Sequence, residues 1–190
     1  MTQEEKAKRY DKAMRHKKVL FADLDGTLID TISGNTFPKG IWDMQFKWDV
    51  IQAIKDYGFE ILLIVSNQGG IEKGFVDERH FTKGKMNYIQ FALMEYLDIP
   101  VEYDYCKFND KSNPFRKPNT GMLEHICFKN LSKLNIIVSD DEMLMIGDAS
   151  GKEGQFSDSD KKMAENFGID YLDIDDFKQW VETNKCNTKL

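Results

Sequence analysis

Two aspartates, Asp23 and Asp25, stand two positions apart directly after the apolar residues 19–22. The apolar run predicts a buried strand, so both carboxylates are expected at its end, where they repel each other and attract a cation. Taken alone, the pair also fits two solvated carboxylates in a turn. Asp148 follows another predicted buried strand and favours a site, because several carboxylates form the oxygen-rich shell that Mg²⁺ prefers.

These residue types could transfer a phosphoryl group. A carboxylate can attack phosphorus, and a second carboxylate can protonate the leaving oxygen and later deprotonate a water. The transfer also needs groups that bind the phosphoryl oxygens and neutralise their charge. Ser66, after a further predicted strand, and Lys117, in a polar loop, could supply them. Taken alone, Lys117 is more typical of a surface lysine.

An alternation of strands and helices would place these side chains together. Strands are predicted at 19–22, 61–65, 103–108, 143–146 and 169–172, and helices at 48–57, 76–97, 120–131, 159–167 and from 175 onward. Gly84 weakens the middle of the second helix. The alternation predicts an α/β domain with a doubly wound, Rossmann-like parallel sheet, in which ligands bind at the carboxyl ends of the strands. Asp23, Ser66 and Asp148 are therefore expected at one crevice.

Composition is that of an ordinary soluble domain. The chain has 190 residues, of which 41% are apolar and 31% charged, and no apolar run approaches the ~20 residues of a membrane span. The three cysteines, widely spaced, favour reduced thiols over a disulfide framework or a zinc site: Cys106, Cys127 and Cys186. We expect a soluble intracellular protein with a charged helix or arm at 1–18 and a single domain at 19–190.

The sequence resembles the haloacid dehalogenase superfamily of phosphohydrolases. Its four signatures occur in order as Asp23-Leu24-Asp25-Gly26-Thr27, Ser66-Asn67, Lys117-Pro118 and Gly147-Asp148. The resemblance spans most of the chain, and the four motifs in order are far more specific than any one of them.

The resemblance implies a role for each motif residue. Asp23 would be the nucleophile, Asp25 the general acid and base, and Ser66 a hydrogen-bond donor to the phosphoryl group. Lys117 would stabilise negative charge. Mg²⁺ would be held by Asp23, Asp148 and the backbone carbonyl of Asp25.

Two further acids are candidates for orienting Lys117 or the waters of the metal. These are Asp158 and Asp160, of which Asp160 fits the pattern of the superfamily better.

The spacing of the motifs predicts a site without a cap domain. Only a flap-sized segment, residues 28–47, separates Thr27 from the helix that begins at Trp48. Between Ser66 and Lys117 there is room for a helix, a strand and loops. An open crevice suits a large or tethered phosphate, such as the end of a polynucleotide, although some capless relatives act on small molecules.

Longer stretches resemble the polynucleotide 3′-phosphatase family, found as the phosphatase domain of bifunctional polynucleotide kinase 3′-phosphatases. They are residues 31–38, 66–74, 115–122 and 147–152, followed by Phe156-Ser157 and Asp160. The resemblance implies a DNA-repair type of substrate, a nucleic-acid end with a 3′-phosphate. Residues expected to bind the phosphate or the substrate are Leu24, Thr27, Phe37, Asn67, Lys73 and Arg116, and Lys152 would add another cation at the crevice.

The flap aromatics Phe37, Trp42 and Phe46 could stack on an unpaired base, or they could pack against the domain. The net charge of −6 argues against a protein that coats long nucleic acids, although a few local cations suffice to recognise a strand end.

Two other functions remain open at this point. A small-molecule phosphatase of the histidinol-phosphate or heptose-bisphosphate type would share the capless layout, but those relatives usually carry a Cys/His zinc loop. Residues 106–117 contain one cysteine and no histidine. A non-catalytic module that binds nucleic-acid ends is disfavoured, because every catalytic position is filled. The chain also lacks a Gly-x-x-x-x-Gly-Lys-Ser/Thr motif, so we expect no P-loop ATP site in it.

Overall fold

A five-stranded parallel sheet forms the centre of the protein. We describe it from a computed structural model that covers residues 10–11, 14, 16–35, 38 and 40–185. The strands in chain order are β1 (Val19–Ala22), β2 (Ile29–Thr31), β3 (Met44–Phe46), β4 (Ile61–Asn67), β5 (Val101–Cys106), β6 (Met143–Gly147) and β7 (Asp170–Asp173). The central sheet has the order β5-β4-β1-β6-β7, and all its neighbours run parallel.

Helices connect the strands as the alternating pattern predicts. They are α1 (Trp48–Tyr57), α2 (Asn87–Leu97), α3 (Gly121–Asn130), α4 (Ser159–Phe167) and α5 (Ile174–Lys185). A π-helical segment (His80–Met86) leads into α2, and short 3₁₀ turns lie at Ile41–Asp43 and Asp140–Glu142. The strand predicted at 103–108 begins two residues earlier, because Val101 already pairs with Leu62.

Helices cover both faces of the sheet. On one face, Ile51 of α1, Leu93 of α2 and Phe177 of α5 belong to one buried cluster. On the other face, Leu123 of α3 and Met163 of α4 belong to a second cluster. All four residues of β1 are fully buried, as expected for a central strand covered on both sides. The doubly wound architecture predicted from the sequence is confirmed.

A small hairpin forms the flap. Strands β2 and β3 pair antiparallel, with Ile29 opposite Phe46. The buried Asp43 closes the hairpin, because its carboxylate accepts hydrogen bonds from the backbone N–H and the hydroxyl of Ser33 at 2.8 Å each. The chain passes from β3 of this flap directly into α1, which begins at Trp48.

The predicted N-terminal helix at 1–18 falls largely outside the described residues. Within them, Met14 and Lys17 are both buried. No helix in the described part of the chain is both long enough and apolar enough to cross a membrane.

Lys17 anchors this end of the chain. Its side chain is only 1% exposed, and its ammonium donates to the carbonyls of Asp141 and Met143 and to the carboxylate of Asp170. The interaction ties the residues before β1 to the starts of β6 and β7.

Replacing this buried ammonium should destabilise the domain. We expect Lys17→Met to lower the free energy of unfolding by roughly 1–3 kcal/mol, because two carbonyls and a carboxylate lose a charged donor. Urea denaturation followed by circular dichroism measures the change. The adjacent Lys18, which pairs with Glu142 at the surface, is the matched control. Lys18→Met should have a clearly smaller effect, and equal effects would contradict the anchoring role of Lys17.

Candidate active site

The carboxyl ends of three adjacent strands bring the predicted site residues together. Asp23 follows β1, Ser66 lies near the end of β4, and Asp148 follows β6. Ala22, the last residue of β1, pairs with Ile64 on one side and with Ile146 on the other, and β4 and β6 run on past this level to Asn67 and Gly147. The crevice that the sequence predicts at this edge of the sheet is therefore built by the register of β1 with its two neighbours.

A buried lysine lies between two aspartates at this edge. The ammonium of Lys117 donates to the carboxylate of Asp23 and, at 2.8 Å, to Oδ1 of Asp160. The side chains of Lys117 and Asp160 are each 2% exposed. Burial disfavours the charged form of Lys117, but Asp160 and Asp23 outweigh it and raise the pKa of the ammonium, which therefore stays charged.

Three acidic groups surround this one cation. Carboxylate oxygens of Asp23, Asp148 and Asp160 lie within 4.8 Å of one another. Burial raises the pKa of Asp23 to about 8, against the opposing effect of Lys117, and burial together with Asp160 raises the pKa of Asp148. Three carboxyl groups thus face one ammonium, and burial together with their mutual repulsion opposes their ionisation. A further cation would relieve this repulsion, and an all-oxygen set fits a hard cation such as Mg²⁺.

Within this cluster, Asp160 is already bonded at both oxygens. Its Oδ1 accepts from Lys117, and its Oδ2 accepts from the backbone N–H of Ala149 at 3.2 Å. The arrangement leaves Asp23 and Asp148 as the better pair of carboxylate ligands, with Asp160 holding the lysine.

Two glycines allow these acids to approach the backbone. A Cβ on Gly26, which has φ +86°, would lie 2.1 Å from Oδ2 of Asp148. A Cβ on Gly147 would lie 2.2 Å from Oδ2 of Asp160. The buried Thr27 completes this part of the site, because its hydroxyl accepts a hydrogen bond from the backbone N–H of Asp148 at 3.1 Å.

The amide of Asn67 holds the loop that carries Lys117. Its Oδ1 accepts from the backbone N–H of Lys117 at 3.0 Å, and its Nδ2 donates to the Lys117 carbonyl at 3.3 Å. Both ends of the amide are thus used to fix the lysine backbone. Asn67 was predicted to bind substrate, and the structure places it as a clasp between β4 and the Lys117 loop.

Asp25 has different neighbours from Asp23. Its Oδ2 accepts from the side-chain amide of Gln68 at 2.7 Å, and its Oδ1 accepts from the ammonium of Lys85 at 2.8 Å. The same Gln68 amide donates to Oγ of the buried Ser66 at 2.9 Å. Gln68 therefore connects Asp25 with the hydroxyl that is expected to bind the phosphoryl group.

The other residues predicted to bind the phosphate or the substrate differ in their exposure and their partners. Leu24 is fully buried, so only its backbone could face a ligand, and Lys73 is exposed on the loop after β4. Arg116 donates to the carbonyl of Phe108 at 2.8 Å. Phe37 lies outside the described residues.

Two expected crevice charges take part in ion pairs. Asp158 pairs with Lys162 at 2.7 Å. Lys152 pairs at 2.9 Å with both Asp173, the last residue of β7, and Asp176 in α5. The Lys152 ammonium is therefore shared by an acid at the end of β7 and an acid of α5, and its role at the crevice stays a prediction.

Three polar side chains near the crevice were not predicted from the sequence. They are Gln68, Lys85 and Lys47, the last of which donates to the Gly26 carbonyl at 2.7 Å. Gln68 could have been found from its place in the Ser-Asn-Gln run. Lys47 and Lys85 carry no local signal in the sequence, since their approach depends on how the flap and the helix after β4 pack.

Comparison with known proteins decides the family. The model of the family described as polynucleotide kinase 3 phosphatase matches residues 18–177. The chain belongs to this family. The match covers all seven strands and every catalytic and metal residue predicted from the sequence, so the predicted family and the predicted enzyme class, a phosphatase, are confirmed.

Individual relatives fall into two groups. The bifunctional polynucleotide phosphatase/kinase of Schizosaccharomyces pombe is 34% identical over 170 residues, covering 86% of this chain but 38% of that protein. A Thermoplasma volcanium protein, named as a probable D-glycero-D-manno-heptose-1,7-bisphosphate 7-phosphatase, is 30% identical over 142 residues, covering 74% of this chain and 91% of that protein. The family thus borders on small-molecule phosphatases.

A solved structure shows the same fold. The D,D-heptose 1,7-bisphosphate phosphatase of B. bronchiseptica, complexed with magnesium and phosphate, superposes with a TM-score of 0.58 at 17% identity, covering 90% of this chain and 99% of that one. The similarity confirms the haloacid dehalogenase type of fold predicted from the sequence.

The close approach at Gly26 yields a prediction. Gly26→Ala should lower kcat/KM for p-nitrophenyl phosphate about 100-fold or more, because the new Cβ displaces the Asp148 carboxylate by an ångström or more. Steady-state kinetics measures the loss.

Gly58→Ala is the matched control. Gly58 has the same φ of +86° but open space around it, at the C-terminus of α1. Gly58→Ala should lower the free energy of unfolding by roughly 1–2 kcal/mol, because alanine is strained in the left-handed conformation, and it should keep its catalytic activity. Equal activities of the two variants would contradict the steric role of Gly26.

Proposed function

We propose that this chain is a magnesium-dependent phosphomonoesterase that removes 3′-phosphates from polynucleotide ends through an aspartyl-phosphate intermediate on Asp23. The observation that supports it most is the buried Asp23–Lys117–Asp160 arrangement beside Asp148. A lysine that touches the nucleophile is placed to neutralise a phosphoryl group attached there.

In the first step, an oxygen of Asp23 attacks phosphorus and the bond from phosphorus to the leaving oxygen breaks. Asp25 gives its proton to the leaving oxygen, so the polynucleotide departs with a free 3′-hydroxyl. The ammonium of Lys117 and the hydroxyl of Ser66 hold the phosphoryl oxygens while the charge shifts. In the second step, Asp25 takes a proton from water, the water oxygen bonds to phosphorus, and the Asp23–phosphate bond breaks to release phosphate.

Asp23 and Asp148, with the backbone carbonyl of Asp25, would hold Mg²⁺. When bound, the ion supplies positive charge to the phosphoryl oxygens and keeps the nucleophile and the phosphate in register. The oxygen donor set and the mutual repulsion of its carboxyl groups, which a bound cation would relieve, support this assignment. A relative in fold was crystallised with magnesium and phosphate.

The choice of a polynucleotide substrate is supported by the family match and by the open flap. The flap is a short hairpin, and Trp42, in the 3₁₀ turn just before β3, is 73% exposed. An exposed indole on the flap is suited to stacking on an unpaired base. Lys73 is exposed on the loop after β4 and could meet a backbone phosphate.

A heptose-bisphosphate type of activity is the second candidate. The Thermoplasma volcanium relative favours it, because the aligned region covers 91% of that protein. This chain spans 38% of the length of the Schizosaccharomyces pombe protein.

A substrate comparison separates the two candidates. We expect phosphate release from a 3′-phosphorylated oligodeoxynucleotide with a kcat/KM at least ~10-fold above that for heptose bisphosphate or histidinol phosphate. The extra affinity would come from the contacts to the nucleotide that precedes the phosphate, each worth about 1–3 kcal/mol if a base stacks. Malachite-green detection measures the released phosphate in the same way for every substrate.

Two controls sharpen this comparison. A 5′-phosphorylated oligonucleotide of the same sequence should be a poor substrate, and chelation of divalent ions should stop phosphate release from every substrate. A clear preference for a small phosphate would reject the polynucleotide assignment. Release that continues in the chelator would reject the magnesium requirement.

Replacement of the nucleophile tests the covalent mechanism. Asp23→Asn should abolish turnover, because an amide does not attack phosphorus, and it should leave the melting temperature equal or higher. The raised pKa of Asp23 means that its charged form, buried beside two other acids, is unfavourable in the folded protein. The neutral asparagine avoids this cost. Kinetics and thermal denaturation of the same preparation measure both effects.

Asp98→Asn provides the control for the same chemical change. Asp98 caps α2 in a left-handed conformation that asparagine also adopts, at the end of the domain opposite the crevice. Its activity should equal that of the unmodified protein. Turnover by Asp23→Asn above background would contradict a covalent role for Asp23.

A further inference from the structure

Lys85 is an almost buried cation that the proposed mechanism does not use. Its side chain is 13% exposed, and that of its partner Asp25 is 12% exposed. A charge with so little contact with water is stable only when it is paired. The Lys85 ammonium lies 2.8 Å from Oδ1 of Asp25, so the counter-charge is the carboxylate expected to move the proton.

The π-helical segment determines where Lys85 lies. In an uninterrupted α-helix, residues 81, 85, 89 and 93 would share one face, and Lys85 would enter the core. Here the buried side chains are Phe81, Met86, Ile89 and Leu93. Successive buried positions are thus five residues apart across the π turn and three to four residues apart after it. Lys85 thereby moves to the edge of the buried face, at the crevice. Single π turns inserted in α-helices are frequent at functional sites.

The two oxygens of Asp25 have unequal partners. Oδ1 accepts from the ammonium of Lys85, a charged donor on a helix. Oδ2 accepts from Gln68, whose amide nitrogen also donates to Ser66 and keeps that partner if Asp25 turns away. Charge-assisted hydrogen bonds are the stronger kind, so Oδ1 is the anchored oxygen and Oδ2 the exchangeable one.

We propose that Lys85 is a positioning residue that fixes Oδ1 of Asp25 and so directs Oδ2 toward the leaving oxygen. This inference rests on the proposed function, in which Asp25 is the general acid and base. In the first step Oδ2 gives its proton to the leaving oxygen, and in the second it takes a proton from the attacking water. Lys85 transfers no proton itself and acts through the orientation of the Asp25 carboxyl.

The test is the dependence of rate on the leaving group. Substituted phenyl phosphates keep one shape while the departing phenol varies in acidity, and kcat/KM reports the steps up to the first bond cleavage. Lys85→Met should lower kcat/KM about 10- to 100-fold for phenyl phosphate and for thymidine 3′-phosphate, whose leaving oxygens need a proton. For p-nitrophenyl phosphate, which departs readily as an anion, the loss should be at most about 3-fold. The plot of rate against phenol acidity should therefore become steeper.

Matched variants define the controls. Lys83→Met changes the same residue type in the same π-helical segment, at an exposed position, and should leave the slope unchanged. Lys85→Arg keeps the charge and the donors and should recover most of the lost rate for phenyl phosphate. Because Lys85 acts through Asp25, Lys85→Met should lower kcat/KM much less in the Asp25→Asn variant than in the unmodified protein.

Several outcomes would overturn the inference. An equal loss for all esters that adds fully to that of Asp25→Asn would indicate a structural role only. A raised KM confined to oligonucleotides would indicate that Lys85 binds the substrate backbone instead. If Asp25→Asn does not itself steepen the leaving-group dependence, the proposed acid role of Asp25 fails, and the inference fails with it. If Asp25→Asn steepens it and Lys85→Met does not, only the inference about Lys85 fails.

Discussion

The site depends on one buried cation held between two carboxylates. An ammonium with 2% exposure would lose its charge in apolar surroundings, and it is kept by Asp23 on one side and Asp160 on the other. Much of the surrounding structure serves this contact. Asn67 fixes the backbone of Lys117, the N–H of Ala149 holds the second oxygen of Asp160, and Gly147 leaves room for that carboxylate.

The sheet topology explains how residues more than 90 positions apart form this contact. Strand β1 leads into Asp23 and lies between β4 and β6. The residues at the carboxyl ends of both neighbouring strands therefore lie beside Asp23. Asn67 at the end of β4 then brings in the Lys117 loop, and α4, which follows β6, brings in Asp160. A shift of one residue in either pairing would turn these side chains to the opposite face of the sheet.

Much of this arrangement could be predicted from the sequence, because buried parallel strands are recognisable as apolar runs. The strands that end at Asp23 and Asp148 were predicted within one residue, and the carboxyl-end rule placed their acids at one crevice. Contacts that depend on packing between distant segments could not be predicted. The ion pairs of Lys152 with Asp173 and Asp176 are an example, because neither acid is close to it in the chain. The π turn that displaces Lys85 left only one trace, the weak helix signal at Gly84.

The two aspartates of the first motif illustrate why spacing alone does not assign roles. Their positions suggested that both share one low-dielectric edge and one cation. The structure instead gives each its own surroundings: Asp23 lies with Lys117 among buried acids, whereas Asp25 lies between Gln68 and Lys85. Two carboxylates in different environments can carry different functions at one pH, one attacking and one exchanging protons. The proposed division into nucleophile and proton carrier is thus supported by two separate lysines. Lys117 reaches Asp23 from a loop, and Lys85 reaches Asp25 from the π-helical segment.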